Sequence, residues 1–474
     1  MSASSQVGSQ VVHMLLNVVS SLVIIRYLPP SSYGDYVLVM TMMTVTGLVA
    51  DFGLNKLGVR DVAAHESDEP EVVGTVIALR LGLAVVAAGV FQAVLLGLGR
   101  SAEVHTAAAL ASLTFVASAL MSVVISFEVR LQQHIPAFTL LLGEIIETGL
   151  VLWLVRHHGS LSQLYGAAAL GTGVAAAVAV VLARRRLVLR PRFDASRMAP
   201  LIRGALPLAA ASLVGIVLIK LDTFVLVLLR PRREVGLYGA AYAPVEYLAV
   251  AAVVLVSVLL PLLARYHVTD RARFVAVYRL GTEALLAFVL PMAVLLAVVA
   301  GPAIDVVYSG QYRGATTPMR LLGFGLVVMS LSAWYAIVLL AVGQQHLIVR
   351  YTAAMLGVAA VVHPVLIAWL GATGAALGVL AVGLLTAAWA GRLVRRMTDA
   401  RVDVSRVARV VGAGAAIGVV AVGLDVAGVG VWPAAACGAL VYVPTLFLLG
   451  VAPRDLASLL RTTDDGVTLA EATA

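Results

Sequence analysis

Apolar runs of about twenty residues recur along the whole chain and constrain its fold more than any other feature. About 20 helical residues cross a hydrocarbon layer of about 30 Å, because each residue advances the helix by about 1.5 Å. Polar, proline or glycine residues separate about fourteen such runs between residues 7 and 450. Because backbone N–H and C=O groups must be paired in lipid, each run is predicted to be a membrane-spanning helix.

Composition excludes the other fold classes. Of the 474 residues, 61% are hydrophobic and 12% are charged, whereas soluble domains carry about 25% charged residues. A membrane β-barrel would instead show alternating segments of about ten residues. Cys437 is the only cysteine, so an intramolecular disulfide is excluded. The opening from Met1 to Gln10 lacks a basic segment, and we expect the first run to be a retained helix and not a signal peptide.

Arginine placement predicts the orientation. Fourteen spans leave both termini on one side, and placing that side in the cytoplasm puts 23 of the 33 basic residues in inner segments, 8 outside and 2 within spans. We therefore predict an inner-membrane protein with cytoplasmic N- and C-termini, whose inner arginines contact anionic lipid head groups. The basic run from Arg184 to Arg192 joins two spans without interleaved aromatic residues, so no nucleic-acid partner is expected.

Three short matches relate the first six spans to the next six. Each pair stands at an equivalent place, at offsets of 202, 212 and 208 residues: 33–36 with 235–238, 131–134 with 343–346, and 165–168 with 373–376. Because each unit has an even number of spans, the repeats enter the membrane in the same orientation and predict a pseudo-two-fold axis along the membrane normal.

The predicted architecture is therefore all-α, with two six-helix lobes and an extra C-terminal helix pair. Such lobes are expected to alternate access to a site between them. The predicted ranges are an N-lobe at 1–183, a basic cytoplasmic linker at 184–204, a C-lobe at 205–392, a cytoplasmic loop at 393–407, the last two spans at 408–450 and a cytoplasmic tail at 451–474.

Several turn motifs, in order and spacing, resemble a known family. They are Gly8–Val12, Arg26–Tyr36, Asp51–Leu54 followed by Arg60, Asp222 with Val235–Tyr238, Pro261, Tyr308–Tyr312 and Gly371–Ala376. This pattern resembles the polysaccharide-repeat (O-antigen type) flippases of the multidrug/oligosaccharidyl-lipid/polysaccharide exporter superfamily.

The resemblance implies a carrier that moves an undecaprenyl-diphosphate-linked oligosaccharide from the inner to the outer leaflet, for capsule, exopolysaccharide or O-antigen assembly. A polysaccharide polymerase and glycosyltransferases would be its partners. An anionic head group of this kind needs a hydrated cleft with fixed positive charge. Two alternatives within the superfamily are a multidrug or toxin extruder and a lipid II flippase, and a third is a non-transporting membrane scaffold.

Four basic residues are candidates for binding the diphosphate. Arg80 and Lys220 are the two that lie deepest within spans, where ionisable groups usually face a cavity. Arg80 has an alternative role, because it is also placed to snorkel or to pair with an acidic neighbour. Arg26 and Arg320 lie near outer span ends, where anchoring at the membrane interface is the commoner role.

Four acidic residues are candidates for coupling transport to Na⁺ or H⁺. Glu144 and Glu147 are three residues apart and share one helix face, so they form either an ion site or a neutralising partner for a cation such as Arg80. Asp222 points away from Lys220 on the same helix, so each needs its own partner. Glu246 lies near the middle of its span.

The sequence carries no enzyme signature. It lacks a phosphate-binding Gly-x-x-x-x-Gly-Lys-Ser/Thr loop and metal-ligand spacings of Cys and His. No catalytic residue, metal or organic cofactor is therefore expected.

Overall fold

The computed structural model describes residues 3–64, 68–184 and 195–448. Within these residues every regular element is helical, comprising sixteen α-helices, short 3₁₀ segments and one π-helical segment, and no strand is formed. The all-α prediction is therefore confirmed. The basic residues from Arg185 to Arg192, and the predicted tail with Arg454 and Arg461, lie outside the described residues.

Packing divides the chain into two compact units, Met1–Lys220 and Leu221–Ala474. The first contains α1 (Ala3–Tyr27), α2 (Pro30–Asp51), α3 (Leu54–Ala64), α4 (Glu69–Gly97), α5 (Ala102–Leu120), a 3₁₀ turn (Met121–Val124), α6 (Ile125–Glu128), α7 (His134–Arg156), α8 (Leu161–Arg184) and most of α9 (Ala195–Leu229). Its core is built from leucine, valine, isoleucine and alanine side chains, which pack α3, α4, α6, α8 and the start of α9 together.

The second unit begins in the last part of α9. It continues with α10 (Arg232–Ser257), α11 (Leu260–Thr269), α12 (Arg271–Ala303), a π-helical segment (Ile304–Tyr308), a 3₁₀ segment (Gly310–Ala315), α13 (Thr316–Ala341), α14 (Gln345–Thr398), α15 (Val404–Val426) and α16 (Val431–Leu448). The predicted domain ranges stay predictions. Of the predicted linker, residues 195–204 belong to α9 and residues 185–194 lie outside the described part.

The number of membrane spans agrees with the sequence. Eleven helical segments are long and apolar enough to cross a membrane, and two shorter apolar helices, Val12–Tyr27 and Val431–Leu446, accompany them. One of the eleven, α14, has 54 residues and is interrupted by a non-helical Gly371. At about 1.5 Å per residue, each of its two halves is about 40 Å long and exceeds the hydrocarbon thickness of about 30 Å. Because α14 supplies two crossings, the helices account for the fourteen predicted spans.

The three sequence repeats occupy comparable places in the two units. The first pair lies near the starts of α2 and α10, the second lies just before or at the starts of α7 and α14, and the third lies in α8 and in the second half of α14. Helix α5 packs on α4 and α8, and α13 likewise packs on α12 and α14. The units therefore share a packing order, whereas the pseudo-two-fold axis itself stays a prediction.

A capped break at Gly371 divides α14 into its two crossings. Gly371 has φ +58° and ψ −132°, a combination that only glycine adopts without strain. The Arg230 guanidinium donates to the carbonyls of Ile367 (3.0 Å) and Ala368 (2.8 Å), which end the first half. The Glu234 carboxylate accepts from the N–H of Ala372, which starts the second half, at 3.2 Å. One turn between α9 and α10 therefore satisfies both new helix ends.

We expect Gly371→Ala to lower the free energy of unfolding by about 1–3 kcal/mol, because the new methyl group requires a strained backbone and meets the Glu234 carboxylate. The melting temperature in detergent measures the change. Gly357→Ala is the control, since that glycine lies in the same helix with no neighbour within 4 Å of the new atom, and its substitution should be neutral or stabilising. Equal melting temperatures for the two variants would contradict this account of the break.

Candidate functional site

Arg80 of α4 lies in a closed polar site within the first unit. It is 2% exposed, and its Nη2 atom lies 3.0 Å from Oδ1 of Asp51 at the end of α2. Its two terminal nitrogens also donate to the carbonyl and hydroxyl of Ser118 and to the hydroxyl of Ser122, at 2.7–2.9 Å. A buried cation needs such pairing because desolvation is costly. The ion pair with an acidic neighbour, the alternative considered for Arg80, is therefore formed, and its role in binding the cargo stays a prediction.

Asp51 links that buried cation to a change of chain direction. Its second carboxylate oxygen accepts from the N–H of Gly53 at 3.2 Å. Phe52 and Gly53 both have positive φ, 50° and 71°, and α3 starts at the following residue. The Asp51 carboxylate therefore fixes the turn between α2 and α3 while it neutralises Arg80. The sequence motif Asp51–Leu54 predicted a turn here but not its buried partner.

A row of polar side chains joins α1 to α7. The His13 Nε2 atom lies 3.4 Å from a carboxylate oxygen of Glu144, and Nδ1 of the same ring lies 3.0 Å from the Asn17 amide nitrogen. One helical turn further, the Ser20 hydroxyl donates to the Thr148 hydroxyl at 2.9 Å. Sequence reasoning found the α7 side of this row but missed the α1 side. The spacing of His13, Asn17 and Ser20 in an apolar helix is the signal that would have found it.

Glu147 lies one turn beyond Glu144, where α7 and α8 approach closely. A methyl group on Gly171 would lie 2.6 Å from the carbonyl oxygen of Gly143 and 2.9 Å from Cβ of Glu147. Two glycines therefore permit the backbones to approach and enclose the Glu147 stem. The acidic pair faces α1 and α8, and its observed cationic neighbour is His13, not Arg80.

Asp222 is the centre of a buried polar group in the second unit. It is 2% exposed and accepts hydrogen bonds from the hydroxyls of Tyr238 and, at 3.2 Å, Thr223. His363 of α14, also 2% exposed, lies within electrostatic range of this carboxylate. The expectation that Asp222 needs a partner other than Lys220 agrees with these contacts.

The remaining candidates are less buried than Arg80 and Asp222. Lys220 is half-buried in α9, Glu246 is exposed on α10, and Arg26 is exposed at the end of α1. Arg320 is exposed and donates from Nε to the carbonyl of Ala297 at 3.1 Å. The structure thus brings Glu144 and Glu147 together, while the four basic candidates do not form one group within either unit. Among the described residues no group of three His, Cys, Asp or Glu side chains could hold a metal ion.

Two further ion pairs escaped the sequence analysis. The Arg130 guanidinium makes two contacts of 2.6 Å with the buried Glu69 carboxylate at the start of α4. In the second unit Arg406 of α15 lies 3.3 Å from the buried Glu283 of α12. Their residues are 61 and 123 positions apart, so no local sequence pattern could have paired them.

We expect Asp51→Asn to lower the free energy of unfolding by about 3–5 kcal/mol, because it leaves the buried Arg80 cation without a counter-charge. Melting temperature and detergent resistance measure the loss. Asp61→Asn removes a carboxylate from an exposed pair with Arg60 and should cost under about 1 kcal/mol. A protein with asparagine at position 51 that melts like this control would show that Arg80 does not depend on the ion pair.

Comparison with solved structures identifies the fold. The lipid II flippase MurJ, in an inward closed conformation, superposes with a TM-score of 0.78 at 13% sequence identity, covering 95% of this chain and 98% of that chain. An inward-facing multidrug resistance MATE family transporter of the MOP superfamily gives 0.59 at 12% identity over 82% and 96%. The Vibrio cholerae MATE transporter VcmN, as a D35N mutant, gives 0.56 at 14% over 83% and 94%.

These similarities confirm the predicted polytopic all-α fold, which the chain shares with MurJ and the MATE transporters. No curated protein matches the chain by sequence. A protein family described as "Polysaccharide biosynthesis protein" matches residues 2–267, which is more than half of the chain. The chain therefore belongs to the polysaccharide biosynthesis protein family, and its fold is that of a membrane transporter.

Proposed function

We propose that the protein flips an undecaprenyl-diphosphate-linked oligosaccharide from the inner to the outer leaflet, for assembly of capsule, exopolysaccharide or O-antigen. The observation that carries this proposal is the joint finding of a polysaccharide biosynthesis family and a fold shared with MurJ over 95% of the chain. We further propose an inner-membrane location with both termini cytoplasmic, transport by alternating access, and glycosyltransferases and a polymerase as partners.

Lys220 is the strongest candidate for binding the diphosphate. It is half-buried in a membrane helix, where ionisable residues usually face the bundle interior or a cavity. Arg26 and Arg320 are exposed and supply further positive charge along the path of a head group. Arg80 is engaged with Asp51 and two serines, so we assign it a positioning role for α2 and α3 and not direct contact with the cargo.

The row at α1 and α7 is the better of the two candidate coupling sites. Glu144 and Glu147 lie on one face of α7, and His13 stands 3.4 Å from the first of them. A histidine and two carboxylates within a span can exchange a proton, and the carboxylates alone can bind Na⁺. Asp222 is already hydrogen-bonded to Tyr238, and Glu246 is exposed on α10, so both are second choices.

A lipid II flippase is the second candidate function, favoured by the similarity to MurJ. The two functions differ in the lipid-linked cargo that is moved. Competition between the two lipid-linked substrates in one transport assay separates the functions. A multidrug extruder, suggested by the weaker similarity to MATE transporters, would instead move small cations and leave both lipid-linked substrates in place.

We expect Lys220→Ala to reduce translocation in everted vesicles about tenfold or more, since a charge-assisted hydrogen bond is worth about 1.5–3 kcal/mol. Lys220→Arg should keep most of the activity because it keeps the charge. Lys56→Ala is the control, since Lys56 is exposed on α3 and is the other lysine of the chain. Full transport by Lys220→Ala at normal protein levels would refute the cationic site.

We expect Glu144→Gln to abolish stimulation of transport by an imposed ion gradient while the protein still folds, because a neutral amide cannot exchange a proton or balance Na⁺. The measurement compares initial transport rates with a pH gradient, a Na⁺ gradient and neither. Asp425→Asn, at an exposed carboxylate in the last turn of α15, is the control. If Glu144→Gln and this control respond alike to both gradients, coupling lies elsewhere.

A further inference from the structure

One end of the second unit carries an arginine-rich surface on three helices. It is formed by α11, the start of α12 and the end of α14 with the loop that follows, and we call it the arginine surface. Eight exposed arginines belong to it: Arg265, Arg271, Arg273, Arg279, Arg392, Arg395, Arg396 and Arg401. The arginine distribution along the chain predicts that this end faces the cytoplasm.

Some of these arginines join the segments together. Arg271 donates to the carbonyl of Thr398 at 2.8 Å and to the Asp399 carboxylate at 2.9 Å, which ties the start of α12 to the end of α14. Arg279 donates to the carbonyl of Arg401 at 3.1 Å. The surface is therefore a continuous part of the second unit.

The acidic residues nearby are already engaged. Asp399 pairs with Arg271, and Asp270 pairs with Arg273 and caps α12. Asp403 accepts from the two backbone N–H groups that begin α15. In contrast, five guanidinium groups of the surface have no ion pair or hydrogen bond to any described residue: Arg265, Arg392, Arg395, Arg396 and Arg401. The surface thus holds a surplus of exposed, unneutralised positive charge.

The depth of these arginines matches the head-group layer. Arg392 follows the break at Gly371 by 21 residues, or about 31 Å of helix, which equals the thickness of the hydrocarbon. Arg392 and Arg396 are one turn apart and lie on one face of α14. Trp389, 39% exposed, stands one turn before them, and exposed tryptophans of this kind mark the membrane interface.

Helix α11 adds an interfacial element beside this face. Its ten residues bury Leu263 while Arg265, His267 and Val268 are exposed. The Arg273 guanidinium lies 5.8 Å from the centre of the Tyr266 ring, which holds it over the same surface. A short helix with one buried face and a basic outer face is suited to lie along the membrane plane.

We propose that the arginine surface binds the phosphate groups of anionic phospholipids in the inner leaflet. Guanidinium groups bind phosphate oxygens in pairs of hydrogen bonds, and a polybasic surface beside a membrane helix is attracted to anionic lipid. The C-terminal end of a helix dipole attracts cations, which explains the positions of Arg395 and Arg396 at the end of α14. It does not explain the positions of Arg265 and Arg401.

Lipid-dependent melting of the full-length purified protein tests this proposal. Phosphatidylglycerol added to detergent micelles should raise the melting temperature more than phosphatidylcholine does. The apparent affinity for phosphatidylglycerol, taken from a titration of this shift, should fall on the order of tenfold when Arg392→Gln is combined with Arg396→Gln. Arg265→Gln with Arg401→Gln is a second, independent double variant that should weaken the affinity in the same direction.

Arg156→Gln with Arg233→Gln is the matched control. Both arginines are exposed at segments predicted to lie outside, and their loss removes the same charge. This variant should keep the affinity of the original protein. Equal affinity in all three double variants would overturn the proposal, because the arginines would then serve only topology. An equal rise in melting temperature with inorganic phosphate would also overturn the proposal, since the surface would then bind a free anion as well as a lipid head group.

Discussion

Every part of this fold depends on pairing backbone polar groups where water is absent. In hydrocarbon, a helix satisfies its own N–H and C=O groups, and a break is tolerated only where other groups pair the freed ends. At Gly371 those groups are Arg230 and Glu234, which bind the two new helix ends from one turn. In the first unit the Tyr27 hydroxyl donates to the Gly159 carbonyl between α7 and α8 at 2.8 Å. Each connection is thus contacted from another helix end, α1 in the first unit and the α9–α10 junction in the second.

The same constraint decides which charges can serve a ligand. A charge within a span is stable only when it is paired, and a paired charge is less available to a cargo. Arg80, Glu69 and Glu283 are all buried, and each has a partner of opposite charge on another helix or, for Glu69, in the turn after α6. These residues hold helices in place. Lys220 and Glu144, which we propose for transport, are less buried than these residues.

Some charged residues hold helices together and others can change partner. A small number of ionisable residues can therefore support both folding and transport. Pairs at helix ends, such as Arg130 with Glu69, fix helices against each other. The His13–Glu144 contact is an ion pair only when the histidine is protonated, so its strength depends on proton occupancy. A contact of that kind can be broken and remade during a transport cycle, whereas a permanently charged and bidentate pair resists such a change.

The sequence by itself determined the fold class, the number of spans and the family, because hydrophobic run length and turn residues are local properties. It also marked Arg80, Glu144 and Asp222 as costly residues that require partners. Only the tertiary structure decided which residues are those partners. Asp51 is 29 positions from Arg80, and His13 is 131 positions from Glu144, so their meeting depends on helix packing. Packing alone therefore identified Arg80 as a cation held in an ion pair between helices.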